Sequence, residues 1–358
     1  MEDCFLDRFI DLLPLTLIIL LFYKAKPVKA LRGFNENYLD IVPCRSVRGF
    51  YALVILFHHL SQQTESGSLF RVFLYLGYAV SVFFFLSGYG LMKKLTTDSG
   101  YRKGFLRKHL PQLLLPLLFV FLVFKLLYAL NGEQLSLAYF LFLIVNGDII
   151  MCIFWYMITL FLFYFAFGVL LLVFKTSKQA VLVGMTVFCL LYTGLGIQLS
   201  FGQWWYMSSH LLVVGMAWAL YEDRILAFCK KRYWPCLLLF SFAFLFLWQF
   251  FDQIYALRPA PGTRLGILMV RNFVFTLAFV LFTMKVKLGN PILDQLGRVS
   301  LALYMLHPVF LFLFHSRFIY IESDFLYCLA VIAATIISAR VFSDPYKALC
   351  KKYRRLIS

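Results

Sequence analysis

Arg48 and His59 stand eleven positions apart in an otherwise apolar stretch of the chain. Ionisable side chains are costly inside a bilayer, so a helix that keeps them there usually needs them. At about 100° per residue, eleven steps leave a rotation of only about 20°, so both side chains leave one helix face, roughly 16 Å apart along the axis. A guanidinium near one membrane surface can hold a charged donor, and an imidazole deeper in can move a proton.

His58 points to another side of the same helix. A second interpretation is that His58 and His59 are interfacial histidines near a helix end. The spacing leaves both interpretations open, and the face that His59 shares with Arg48 favours a functional role for His59.

A second motif, Phe83–Gly90, ends an apolar stretch with Ser87, Gly88 and Tyr89. Glycine lets a backbone or a ligand approach closely, and serine and tyrosine hydroxyls can donate hydrogen bonds in a dry site. The motif therefore fits ligand binding or helix packing, and these residue types alone favour packing.

A basic run from Tyr101 to Pro111 leads directly into another apolar stretch. Arginine forks onto phosphate oxygens, so the run suits a phosphate-bearing donor such as coenzyme A. The alternative is the positive charge that any cytoplasmic loop carries. Arg107 and Lys108 lie closest to the apolar stretch, and we expect these two residues to contact the donor.

A third histidine, His307, follows Tyr304 by three positions and precedes Pro308. Proline frees a carbonyl one turn earlier and can bend a helix, which opens a polar spot. We expect His307, Tyr304 and Trp155 to be candidates for lining the cavity of His59. Aromatic residues near helix ends also form interfacial belts, and a belt is the favoured interpretation for most of Trp155, Tyr156 and 203–206, with sugar stacking as the alternative.

The composition predicts an all-α, polytopic membrane protein without a soluble domain. Of the 358 residues, 62% are hydrophobic, and the mean hydropathy of +0.83 is far above that of soluble domains. Each apolar run must be helical because lipid cannot satisfy exposed backbone groups. About ten or eleven spans are predicted: 9–23, 49–62, 70–92, 110–130, 150–174, 179–198, 207–221, 234–250, 265–284, 299–317 and 325–341. The apolar segment 135–146 is a further interfacial or re-entrant candidate.

The basic residues predict the orientation, because short cytoplasmic loops carry excess lysine and arginine. With the N-terminus outside and the C-terminus in the cytoplasm, the cytoplasmic segments hold 27 of the 34 basic residues. The net charge of +17 then reflects topology and anionic headgroups in a cell membrane, which excludes nucleic-acid binding as its explanation.

The chain divides into an anchor span with a cytoplasmic linker (1–43), one membrane domain (44–341) and a basic cytoplasmic tail (342–358). The acidic N-terminus predicts a retained anchor, not a cleaved signal peptide. The eight cysteines lack CxxC spacing and histidine neighbours, so neither a disulfide framework nor a metal site is expected.

Taken together, these motifs resemble the acyltransferase family 3 integral membrane proteins over roughly residues 44–341. Arg48 with His59 is similar to the family's arginine, ten-residue, histidine motif, Phe84–Tyr89 to its Ser-Gly-aromatic motif, and Gly297–His307 to its late Gly-x-x-Ser…Tyr-x-x-His segment. The chain departs from the family's cytoplasmic Arg-x-x-Arg pattern, because Leu110 stands three residues after Arg107. We also expect an extra span before the motif helix, and within these 358 residues we expect no fused extracytoplasmic domain of the kind that some members carry.

The resemblance implies transfer of an acyl group, usually acetyl from acetyl-CoA, to a hydroxyl of a surface or exported glycan or a related acceptor. It implies that His59 and Arg48 are essential, with His59 as a base or an acyl carrier, and it links Ser87, Gly88, Tyr89, Arg107 and Lys108 to donor handling. Acyl-CoA is then a co-substrate, with no permanently bound cofactor. The alternative function is an uncoupled transporter or flippase for a lipid-linked glycan, since the predicted spans are almost free of the acidic residues that coupled transporters use.

Overall fold

The computed structural model describes residues 5–28, 33–148 and 150–357, and most of them are helical. Four 3₁₀ segments precede or connect the α-helices: Phe5–Phe9, Phe70–Ala79, Met151–Phe154 and Gln203–Trp205. The α-helices are α1 (Leu12–Phe22), α2 (Ile41–Ser61), α3 (Val80–Thr97), α4 (Phe105–His109), α5 (Pro111–Leu130), α6 (Leu137–Asn146), α7 (Trp155–Val173), α8 (Lys178–Gln198), α9 (His210–Leu220), α10 (Glu222–Lys231), α11 (Tyr233–Gln249), α12 (Phe251–Leu257), α13 (Pro261–Lys285), α14 (Pro291–Arg298), α15 (Ser300–Leu313) and α16 (Asp324–Ile357).

The predicted polytopic helical bundle is confirmed. Within the described residues, seven helices are long and apolar enough to cross a bilayer, and nine if each of two sharply bent pairs forms one span. The bent pairs are α11 with α12, at 74°, and α14 with α15, at 75°.

Two predicted spans, 9–23 and 207–221, contain helices of only eleven residues each, α1 and α9. Eleven residues cover about 16 Å, roughly half of a hydrocarbon core. Before α9, the irregular segment 203–209 enters the bundle, where Ser208 and Ser209 are fully buried.

Side chains from neighbouring helices satisfy the backbone of segment 203–209. Asn272 donates to the Met207 carbonyl and the Ser208 hydroxyl, and Tyr192 donates to the Trp205 carbonyl. Irregular backbone is tolerated at membrane depth only where protein surrounds it, which explains why a continuous apolar pattern here does not form a full-length helix.

The extra apolar segment 135–146 folds as the ten-residue helix α6. The Ser136 side chain accepts from the Tyr139 amide at its start, and Gly147 ends it in the left-handed region at φ +80°. Its length agrees with the predicted short segment that does not cross the bilayer.

Glycines let two pairs of helices approach to backbone contact. Where α2 crosses α14, a Cβ on Gly297 would lie 1.9 Å from the Arg45 carbonyl oxygen, and one on Gly49 would lie 2.3 Å from that of Leu293. Where α3 crosses α9, a Cβ on Gly88 would lie 1.8 Å from the Leu212 carbonyl oxygen. These contacts fix the positions of the helices that carry the sequence motifs.

Segments near both ends of the described chain contact the rest of the bundle. Strands β1 (Lys26–Pro27) and β2 (Val286–Lys287) pair antiparallel. The helix that contains the last predicted span continues as α16 to Ile357, so most of the predicted tail prolongs this helix. The Phe342 ring lies 4.7 Å from that of Phe119 on α5, which holds the start of the extension against α5.

Candidate active site

Helix α2 carries both Arg48 and His59, as the spacing predicts. Arg48 lies in its first half and His59 lies two residues from its last residue, Ser61. Both side chains are half-buried, whereas the helix residues between them, 51–57, are buried. Partial exposure of two polar side chains beside a packed core is expected where a helix lines an opening.

Gln62 connects the two histidines at the end of α2. The His59 Nδ1 atom lies 3.0 Å from the Gln62 Oε1 atom, and the His58 Nε2 atom lies 3.3 Å from the Gln62 Nε2 atom. His58 also donates from Nδ1 to the Phe73 carbonyl at 2.8 Å. His58 and His59 therefore belong to one hydrogen-bonded cluster.

The structure brings His307 to His59, as predicted. The two rings stack with centroids 5.3 Å apart and an interplanar angle of 25°. His307 is 1% exposed, and its Nδ1 donates to the Leu303 carbonyl at 3.1 Å. Within the described chain its buried Nε2 atom has no hydrogen-bond partner, so its lone pair is available beside His59.

Tyr304 and Tyr156 continue from His307 toward the first half of α2. The Tyr304 ring lies 5.8 Å from that of His307 and 5.2 Å from that of Tyr156, and the Tyr304 hydroxyl donates to the Ile153 carbonyl. The hydroxyls of Tyr156 and Tyr164 interact with Ser87, and both experience the charge of Arg48. Tyr304, a predicted candidate for lining the cavity of His59, thus contacts His307, whose ring stacks on that of His59.

A line of polar and aromatic side chains therefore extends from Arg48 to His59, on the four helices α2, α3, α7 and α15. Ring contacts join Tyr156, Tyr304, His307 and His59, and Ser87 interacts with Tyr156, whereas Arg48 acts on Tyr156 through its charge alone. A cation at one end can hold an anionic group, and an imidazole at the other can accept a proton.

Gly88 and Tyr89, predicted to contact the donor, have structural partners. Gly88 packs on the α9 backbone, and the Tyr89 hydroxyl donates to Glu222 at 2.9 Å.

Glu222 also forms an ion pair with Lys93 at 2.6 Å. The Tyr38 hydroxyl lies 3.5 Å from the Oε1 atom of Glu222. Burial raises the pKa of Tyr38, so this hydroxyl stays protonated beside the carboxylate. We call this end of the bundle, which carries Arg45, Arg48 and Lys93, the basic end.

Arg107 and Lys108 lie on the short helix α4. The Phe105 ring of α4 lies 6.2 Å from that of Tyr164, which interacts with Ser87. Helix α4 therefore lies beside these two residues. Arg107 is exposed and Lys108 is half-buried. In the described part of the chain neither forms an ion pair, so both charges are available to an anion.

The interfacial-belt interpretation is wrong for most of the aromatic residues to which it was applied. Trp155 is 8% exposed, and its ring lies 6.2 Å from that of Phe84 and 6.3 Å from that of Trp205, which is also buried. Only Trp204 of these tryptophans is exposed, at 37%. The belt interpretation fails for Trp205 and Tyr206 because the sequence does not reveal that this segment turns into the bundle.

Gln62, Glu222 and Tyr164 were not predicted as site residues. Gln62 follows His58 by four positions and His59 by three, a helical spacing that places it beside both, so the sequence did contain a signal for it. Glu222 and Tyr164 reach their partners through tertiary contacts, and nothing in their local sequence indicates those contacts. No group of three or more His, Cys, Asp or Glu side chains in the described residues could hold a metal ion.

The comparisons with known proteins agree with this geometry. A family model described as an acyltransferase domain matches residues 39–343. No curated protein and no solved structure matches the chain significantly. The matched region contains α2 to α15 and every residue of the line from Arg48 to His59. The chain is therefore a membrane acyltransferase that belongs to acyltransferase family 3.

Proposed function

We propose that this protein transfers an acetyl group from acetyl-CoA, or another acyl group from its acyl-CoA, to a hydroxyl of a cell-surface or exported glycan. The observation that carries the proposal is the line from Arg48 to His59, which joins a place for an anionic donor to a place for a base. The family supports acyl transfer in general, and the donor and acceptor are part of the proposal.

The donor is placed with its phosphates at the basic end, near Arg48, Arg107 and Lys108. Guanidinium and ammonium groups suit phosphate oxygens, and the unpaired charges on α4 support this placement. The pantetheine arm would follow the line of Ser87, Tyr156 and Tyr304, so that the thioester reaches His59. Enclosing the thioester between helices excludes water, which limits its hydrolysis.

His59 acts as a general base in this proposal. It removes the proton from the acceptor hydroxyl while the oxygen attacks the thioester carbonyl carbon. The C–S bond then breaks, and the proton held by His59 passes to the coenzyme A thiolate. Holding both substrates at one imidazole supplies proximity as well as base catalysis. In a second version of the step, His59 carries the acyl group briefly before the acceptor attacks.

The orientation is also proposed. Placing the basic end in the cytoplasm of a plasma-membrane protein, with the N-terminus outside and the C-terminus inside, puts the donor site where acyl-CoA is found. The distribution of lysine and arginine supports this assignment.

The test is acyl transfer from radiolabelled acetyl-CoA in membranes that contain the wild type or His59→Ala. We expect transfer to fall at least 100-fold in the variant, since general-base catalysis contributes about 10² to 10⁴-fold. Thermal unfolding should show that the variant remains folded. Full transfer by folded His59→Ala would refute the role of His59, and movement of an unmodified glycan would favour the alternative of a transporter or flippase.

A further inference from the structure

We infer that Gln62 is a positioning residue that holds the His59 imidazole with a proton on Nδ1 and a free lone pair on Nε2. This inference rests on the proposed function, because it assigns the means by which His59 is prepared as a base. The carrying observation is the chain of three hydrogen bonds from the Phe73 carbonyl through His58 and Gln62 to His59.

The direction of each hydrogen bond follows from its partners. A carbonyl oxygen only accepts, so His58 must donate from Nδ1 to Phe73. Neutral His58 then has a lone pair on Nε2, and the Gln62 amide must turn its NH₂ group toward that atom. The amide oxygen is thereby turned toward His59 and accepts from Nδ1. The proton of neutral His59 is thus on Nδ1, and the basic atom is Nε2.

The same atoms explain why Nε2 of His59 is the reactive nitrogen. It makes no hydrogen bond to any residue that the structure describes, and the His59 side chain is half-buried instead of enclosed. The titratable groups that face His59 are His58 on α2 and His307 on α15. His307 has the same tautomer, because its Nδ1 donates to the Leu303 carbonyl. Neither neutral ring competes with Gln62 for Nδ1 of His59.

Gly77 supports the arrangement from the 3₁₀ segment Phe70–Ala79. A Cβ at Gly77 would lie 2.9 Å from the Nε2 atom of His58, the atom that orients the Gln62 amide. The absence of a side chain there leaves room for the His58 ring in the position where it accepts from Gln62.

Gln62 is exposed and follows the last residue of α2, so replacing it should leave the fold intact. Gln62→Leu removes both hydrogen bonds, and we expect kcat to fall about 10-fold with KM for acetyl-CoA unchanged, since one neutral hydrogen bond corresponds to a factor of this order. Gln63→Leu is the matched control, because within the described chain the Gln63 side chain makes no hydrogen bond, and its kcat should equal that of the wild type.

Gln62→Glu separates positioning from a merely structural role. A carboxylate still accepts from Nδ1 of His59, so we expect more activity than in Gln62→Leu at high pH. It also stabilises the protonated imidazole, so the rise of activity with pH should move to higher pH by about one unit. A packing role for residue 62 would leave the pH profile unchanged.

The outcomes distinguish the two proposals. If His59→Ala is inactive while folded Gln62→Leu and Gln62→Glu keep the wild-type kcat and pH profile, the role of Gln62 is wrong and the proposed function stands. If His59→Ala keeps full transfer, the proposed function itself is wrong. Loss in Gln62→Leu, a shifted profile in Gln62→Glu and wild-type behaviour in Gln63→Leu would support the inference.

Discussion

Replacing Gly88 by alanine should separate α3 from α9. The Cβ of the alanine would lie 1.8 Å from the Leu212 carbonyl oxygen and 2.6 Å from the carbonyl carbon. Ordinary van der Waals contact of an added Cβ begins at about 3.4 Å, so the helices must move apart by roughly 1.6 Å. The obstacle is backbone, so rotation of a side chain cannot relieve it.

The expected cost follows from two opposing contributions. Overpacking of this kind costs about 1–3 kcal/mol, and a contact with backbone belongs at the upper end. Replacing glycine by alanine inside a helix returns about 1 kcal/mol of helix propensity. The net destabilisation of Gly88→Ala is therefore about 2 kcal/mol. Gly90→Ala is the matched control on the same helix, because no atom lies within 4 Å of its added Cβ and only the favourable propensity remains.

The assay is thermal unfolding of the detergent-solubilised protein, followed by intrinsic fluorescence and by acyl transfer after heating. Gly88→Ala should unfold several degrees below the wild type, whereas Gly90→Ala should unfold at the same temperature or above it. Equal unfolding temperatures for the two alanine variants would refute the close packing of α3 on α9. Gly88 would then again be a candidate for contact with the donor.

Two further predictions concern charge. Glu222→Gln should lower the unfolding temperature by a few degrees, because Lys93 and the Tyr89 hydroxyl lose a charged acceptor. Such a loss costs about 1–3 kcal/mol, and the 45% exposure of the Lys93 side chain reduces this cost. An unchanged unfolding temperature would contradict the prediction. Burial lowers the pKa of His315 more than Asp324 raises it, so the folded state resists protonation and should lose stability as the pH falls below about 6.5. The unfolding temperature of His315→Phe should fall less between pH 7.5 and 5, and parallel curves would exclude His315 as the cause.

The local pattern of the sequence predicts the fold class and the central helix of the site. The spacing of Arg48 and His59 places both side chains on one face of α2, because the rotation per residue is a property of the helix itself. For the same reason Tyr304 and His307 lie about one turn apart on α15. The resemblance to the family motifs then predicts that α2 and α15 contribute to one site.

Tertiary contacts decide what the local pattern leaves open. The serine and the glycine of the Ser-Gly-aromatic motif have different roles, because Ser87 faces Tyr156 while Gly88 faces the α9 backbone. Residues 207–209 belong to the predicted span 207–221, yet partners such as Asn272, more than 60 residues away, allow them to remain outside a helix. No periodicity within a segment encodes a partner that lies elsewhere in the chain.

His59 lies only two residues before the end of α2, about 3 Å along the helix axis. In the proposed reaction, the acceptor hydroxyl therefore reaches the imidazole while the rest of the acceptor stays outside the protein. The size of the second substrate is then not limited by the space between the helices. A long polymer presented at this rim could be modified one unit at a time, which a base at the centre of the bundle would not permit.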